Sequence, residues 1–171
     1  MRRWLALLLL GLVVALVAYQ AALVATPTLL MAAAIRRVGA GGTNRMTHAP
    51  LATDRARAIV RPSPDLAYSS CPFDLSTGPI AVHVAAVPSP YWSLSVFDAR
   101  TNVPFVRNNG ETGGKPLDLI FARSGQPVPT GRETVRVDGD KGIALVRILV
   151  EDRATFAAID RARRGSTCRK A

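Results

Sequence analysis

Groups that can take a proton, attack a bond or hold a charge collect in two polar runs of this sequence. The first is Pro64-Asp65-Leu66-Ala67-Tyr68-Ser69, followed by Asp74-Leu75-Ser76-Thr77-Gly78-Pro79. The second is Asp98-Ala99-Arg100-Thr101-Asn102, which follows directly on the apolar stretch Trp92 to Phe97. Carboxylate, phenol, hydroxyl and amide groups at strand ends can form a site in which one carboxylate acts as base and the others position a substrate. The same residue types cap turns by bonding nearby backbone amides. The candidate polar cluster is therefore Asp65, Tyr68, Asp98, Thr101 and Asn102, and the spacing favours capping. Under the alternative, a hydrolase-like or ligand-binding enzyme subunit, Asp65, Tyr68, Asp98 and Asn102 would carry the chemistry.

Other reactive residues fit poorer patterns. Ser69, Ser70, Cys71, Asp74 and His83 include the types a nucleophile and its base need, but their spacing supports no such pair. His83 alternates out of phase with Val82 and Val84, which places it on the solvent side of a strand. Gly110-Glu111-Thr112-Gly113-Gly114-Lys115 has the look of a phosphate loop. Asn109 stands where the first glycine is needed, however, and Pro116 replaces the magnesium-binding hydroxyl, so a glycine-rich connection is expected. Arg147 interrupts an apolar strand and predicts a buried ion pair or a sheet edge. Two cysteines and two histidines, none close in sequence, exclude a structural zinc module. No metal and no cofactor are expected, and no catalytic residue is assigned.

The formal net charge of +10 belongs to the ends of the chain. Of the 22 lysines and arginines, Arg2, Arg3, Arg36 and Arg37 flank an apolar block, and Arg161, Arg163, Arg164, Arg169 and Lys170 lie in the tail. All 12 acidic residues fall between Asp54 and Asp160, so the body is nearly neutral and offers no broad basic face to nucleic acid. Basic ends near an anionic bilayer surface account for the excess.

From Trp4 to Ile35 no residue is charged. The stretch Trp4 to Ala25 spans about 33 Å as a helix, enough for a hydrocarbon core of about 30 Å. Pro27 is a natural kink or stop. Residues 28–37 would then lie along or leave the interface. The block exceeds the apolar region of about 7 to 15 residues in a cleaved signal peptide, which favours an anchor. Two arginines on each side leave the charge rule undecided, and the very short amino terminus favours a carboxyl-terminal domain outside the cytoplasm. The expected location is the bacterial inner membrane, single-pass, with the domain in the periplasm. Cys71 and Cys168 fit an oxidising space. Bridged, they would stabilise by about 4 to 5 kcal/mol in the chain-entropy model. The alternative is a buried thiol at Cys71 and a free one in the tail.

Beyond the anchor, residues 39–43 form a flexible glycine joint, and Leu51 to Val60 has a helix-compatible composition ended by Arg61-Pro62-Ser63-Pro64. Short β-branched and aromatic runs follow at Ile80 to Val87, Tyr91 to Phe97, Leu117 to Ala122, Thr134 to Asp138 and Ile143 to Val150. Trp92, Leu94 and Val96 alternate with Tyr91, Ser93 and Ser95, which predicts one core face and one solvent face. Glu151 to Arg164 reads as a closing amphipathic helix, with Phe156 and Ile159 inward and Arg161, Arg163 and Arg164 complementing the dipole of its last turn. The expected fold is mainly β: an antiparallel sheet or sandwich with a C-terminal helix, preceded by one N-terminal transmembrane helix. The boundaries are 1–37 for the anchor, 38–60 for a linker and short helix, and 61–171 for the β-rich domain.

The run Asp65…Tyr68-Ser69, Asp74-Leu75-Ser76-x-Gly78-Pro79, then Tyr91-Trp92-Ser93-Leu94-Ser95-Val96-Phe97-Asp98-x-x-Thr101-Asn102 resembles the family called domain of unknown function 1254, from about residue 61 to 159. Against that family's pattern Ser63 stands for Asn, Leu66 for Thr, Pro90 for Arg and Val103 for a second Asn. Asp65, Tyr68, Asp98, Thr101 and Asn102 are kept. The resemblance implies a β-sandwich-like fold and no established reaction. Longer members carry a second domain, called domain of unknown function 1214. The resemblance therefore implies a separately encoded partner of that kind, with a homodimer as the alternative. The expected role is a membrane-anchored periplasmic binding or interaction module, touching the bilayer through residues 4–35.

Overall fold

The computed structural model describes residues 2–53 and 62–171. The helix expected over residues 51–60 lies largely outside that range.

Helix α1, Arg2–Val38, is 37 residues long, or about 55 Å at 1.5 Å per residue. Among the described residues it is the one helix long and apolar enough to cross a membrane. Pro27 sits inside it. Proline removes one rung of the backbone ladder, yet the helix continues, with the Thr26 hydroxyl donating to the Ala22 carbonyl at 2.6 Å. The expected stop at Pro27 is absent.

The remainder of the chain forms two sheets around one core. The strands are β1 (Thr47–His48), β2 (Leu66–Asp74), β3 (Ile80–Val84), β4 (Trp92–Phe97) and β5 (Phe105–Asn108). After the short helix α2 (Asn109–Thr112) come β6 (Leu117–Arg123), β7 (Thr134–Val137) and β8 (Lys141–Leu149), then helix α3 (Phe156–Arg163) and β9 (Thr167–Lys170). One sheet has the order β1-β2-β8-β4-β5 and the other β7-β6-β3-β9. Residues 47–48, placed in the linker by sequence, belong to the first sheet. Ala67, Ser69, Cys71 and Phe73 of β2 alternate inward, and Phe73 meets Phe121 of the second sheet, the rings edge-on at 5.5 Å.

Three expectations are corrected. The sheets are not wholly antiparallel, because residues 124–133 carry the chain back so that β7 runs parallel to β6. The chain does not close on a helix over Glu151 to Arg164. Asp152 caps a 3-10 turn at Arg153–Thr155, α3 begins only at Phe156, and the tail returns as β9, paired with β3. Basic side chains at Arg169 and Lys170 point outward while Cys168 is buried, so strand alternation was hidden under a tail-like composition. Ser93 and Ser95, expected on a solvent face, are buried, and the Arg147 side chain reaches over to Ser95.

Gly142 explains how tightly β8 fits. A Cβ there would lie 2.1 Å from the Phe97 carbonyl oxygen and 2.4 Å from the Phe73 ring, so no larger residue is accommodated without backbone movement.

The junction with α1 is packed. Met31 is buried, and Gly39 abuts Pro72 on the outer face of the first sheet. A 3-10 turn occupies Gly39–Gly41. Asn44, at φ +56°, then clamps the end of β2: its side chain donates to the Asp74 carbonyl at 2.9 Å and accepts the Asp74 N–H at 2.8 Å. The expected flexible joint is in this way fastened at both ends.

Candidate functional site

Asp98 follows β4 and is 2% exposed. Its Oδ1 accepts the backbone N–H groups of Arg100 and Asn102 at 2.8 and 2.9 Å, and its Oδ2 accepts the Asn102 side-chain amide at 2.8 Å. Thr101 takes φ +68° at the tip of this turn. Asp98, Thr101 and Asn102 thus form a closed Asx-type turn with the carboxylate occupied by local donors.

Asp65 and Tyr68 stand elsewhere. Asp65 is exposed just before β2, and its carbonyl accepts the Val150 N–H at 2.8 Å. The Tyr68 hydroxyl accepts the Ser63 N–H at 3.0 Å. Leu66 pairs with Leu149 and Tyr68 with Arg147 whereas Phe97 pairs with Ile143, which sets Asp65 about 20 Å and Tyr68 about 13 Å along β8 from the Asp98 turn. The structure brings Asp98, Thr101 and Asn102 together and leaves Asp65 and Tyr68 at the opposite end of the sheet.

Cys71 of the first sheet and Cys168 of the second are joined by a disulfide, with their Cα atoms 6.3 Å apart. His83 is on the solvent side and meets Asp118 at 2.9 Å. The glycine-rich stretch opens as α2, whose N-terminus carries a reciprocal cap between Asn108 and Glu111. No group of three metal-ligating side chains occurs among the described residues.

Two arginines emerge that the polar runs did not flag. Arg163, expected to complement the dipole of a last helical turn, is 1% exposed. Its Nε donates to Asp160 at 2.8 Å, Nη1 to the Tyr68 carbonyl at 2.7 Å and Nη2 to the Ala49 carbonyl at 2.6 Å, and the guanidinium lies over the Phe156 ring. The spacing Asp160–Arg163 was the legible signal. Arg147 sits on β8 with β2 and β4 on either side, so it is at no edge. Among the described residues it has no carboxylate partner. Nη2 donates to the Ser95 hydroxyl at 3.1 Å, while Nε and the neighbouring Ser93 hydroxyl are buried without partners. Tyr68 and Ser93 flank it in register.

Electrostatics follow the same layout. Burial lowers the His48 pKa below its ordinary value, and the charges of Arg163 and Arg164 add to this. Burial works to raise the Asp160 pKa, but bonds from Arg164 and Arg163 hold the carboxyl below the usual range. Asp74 is held low chiefly by the bond with Ser76, with Lys141 assisting.

A domain of two facing sheets behind a helix of membrane length is the class that this architecture defines. The family model described as "Protein of unknown function (DUF1254)" matches residues 43–170, and the chain belongs to that family. The match takes in β1 and β9, beyond the span that the motifs alone suggested. Among solved structures, the VPA0106 protein from Vibrio parahaemolyticus is similar at 20% identity and a TM-score of 0.58, over 64% of this chain and 28% of that one. An uncharacterized protein from Burkholderia cenocepacia aligns at 13% identity and a TM-score of 0.46, over 66% of this chain and 33% of that one. The chain thus spans about a third or less of the solved proteins it matches. No curated protein matches.

Proposed function

We infer that this protein is a membrane-anchored binding module of the bacterial envelope, held in the inner membrane through residues 4–35 with its domain in the periplasm. The observation that carries this reading is the continuity of α1, which runs from an exposed apolar span into packed contact with β2 and β8. A helix built that way presents a domain at a bilayer surface. The Cys71–Cys168 bridge suits an oxidising compartment. Asp98 and Tyr68 are engaged by backbone amides, which supports a framework role for them over a hydrolytic one.

The partner in this proposal is a separately encoded protein resembling domain of unknown function 1214. Edge strand β5 offers it the exposed Val106. Confinement of both proteins to one membrane raises their effective concentration without new contacts. A reporter active only in the cytoplasm, fused after Ala171, should be silent, and one active only outside should respond. The reverse pattern would overturn the reading.

A further inference from the structure

Where α1 meets the first sheet, a cleft of about 220 Å³ opens, lined by Thr28, Ala32, Ile35, Arg36, Ala99 and Lys141. We propose that this cleft holds the phosphate of a membrane phospholipid headgroup, a proposal that rests on the anchored reading above.

Three features point the same way. The first is depth: Thr28 follows the 33 Å span by about one helical turn, so the cleft begins where headgroups lie. The second is charge. Arg36 comes from the helix and Lys141 from the start of β8, so two cations from separate elements converge on one opening. Lys141 also meets Asp74 Oδ2 at 3.3 Å, but that carboxylate is shared with the Ser76 N–H and the lysine is exposed, leaving ammonium hydrogens free for a second acceptor. Asp140, in the turn before Lys141, is turned to Arg123 at 3.0 Å. The third is the wall. Thr28, Ala32 and Ile35 share one helix face, which continues into the apolar span. An acyl chain can follow that face into the bilayer while the phosphate stays between the two bases. The room comes from small side chains at Ala32 and Ala99, and the space is generous against the roughly 30 Å³ share of one water.

The same chemistry would suit a soluble phosphate ester, so the test separates the two. Full-length protein in mild detergent is titrated with phosphatidylglycerol or phosphatidylcholine, and retained lipid is counted by native mass spectrometry. The wild type should retain phosphatidylglycerol preferentially. Arg36→Gln and Lys141→Gln should each reduce that preference about fivefold, with unchanged melting. Arg37→Gln removes the same charge one residue outside the cleft and should have no comparable effect. Equal losses for Arg36→Gln and Arg37→Gln, or none for Lys141→Gln, would reduce the preference to diffuse attraction and overturn the proposal. Displacement of the lipid by millimolar glycerol phosphate would overturn the lipid assignment. Retention in phosphatidylcholine vesicles through an alkaline wash reports the anchor independently of headgroup. A chain that stays in the membrane yet shows no preference therefore defeats this inference alone.

Discussion

Arg163 and Arg147 both lie beside Tyr68, one bound to its carbonyl and the other paired with it across β2 and β8. Their treatment is opposite. Arg163 is buried with each guanidinium nitrogen given an acceptor and a ring beneath it, the condition under which a buried charge is tolerated. It ties α3 to β2 and to the segment after β1. Arg147 has one hydroxyl acceptor and an empty Nε. The difference teaches that a guanidinium taken fully out of water is given a complete set of acceptors whereas a half-buried one can keep an unpaired donor, and that the position of a charge in a sheet does not reveal which kind it is.

The largest expected effect comes from Arg163→Ala. It strands the Ala49 carbonyl, leaves the Tyr68 carbonyl to the Ala49 N–H and the Asp160 carboxylate to Arg164, and should cost about 3 kcal/mol in chemical denaturation. A loss under 1 kcal/mol would erase the contrast between the two arginines. Asp98→Ala opens a buried turn held by charge-assisted bonds, so its expected cost is about 2 kcal/mol. Unchanged melting with lost ligand binding would return Asp98 to the list of functional groups. Arg147→Met removes an incompletely paired guanidinium from mid-sheet and should be neutral or stabilising by about 1 kcal/mol. A large loss of stability would make Arg147 a second lock.

The smallest effect is on pH dependence. Folded His48 holds its proton more weakly than the unfolded chain does, so its contribution is complete above about pH 6.5 and is lost as the pH falls toward the lowered folded value. Asp74 and Asp160, also lowered, add a second decline below about pH 4. Arg163→Ala removes one cause of the His48 shift, so melting temperature against pH should flatten between pH 5 and 7 in that variant and not in Arg147→Met. Parallel profiles in all three proteins would show that Arg163 does not act on His48.

Where a run of residues carried a period of two, the sequence was readable: β3, β4, β6, β7 and β8 fall within the apolar runs that predicted them, to within a few residues. β2 was obscured because the run Pro64 to Ser69 read as turn chemistry, and only pairing with β8 makes Leu66 to Asp74 a strand. β5 ends in Arg107 and Asn108 and β9 in Arg169 and Lys170, so neither stood out as an apolar run, whereas β7, of the same length, did. The turn made by Asp98, Thr101 and Asn102 was legible from local spacing. Arg147 was legible only as an interruption of an apolar strand and Arg163 only through its spacing to Asp160, since the rest of their surroundings is assembled by strands and carbonyls distant in sequence.

Strand order also sets a timetable. β2, β3 and β4 each take a neighbour from residues 141–170: β8 lies between β2 and β4, and β9 pairs with β3. A ribosome delivers the amino terminus first, so the early strands emerge with their hydrogen-bonding edges unfilled while α1 is already complete. Assembly of both layers must wait for the final stretch of chain. A polypeptide stalled before residue 141 would therefore display open sheet edges, the state most exposed to proteases and to mispairing.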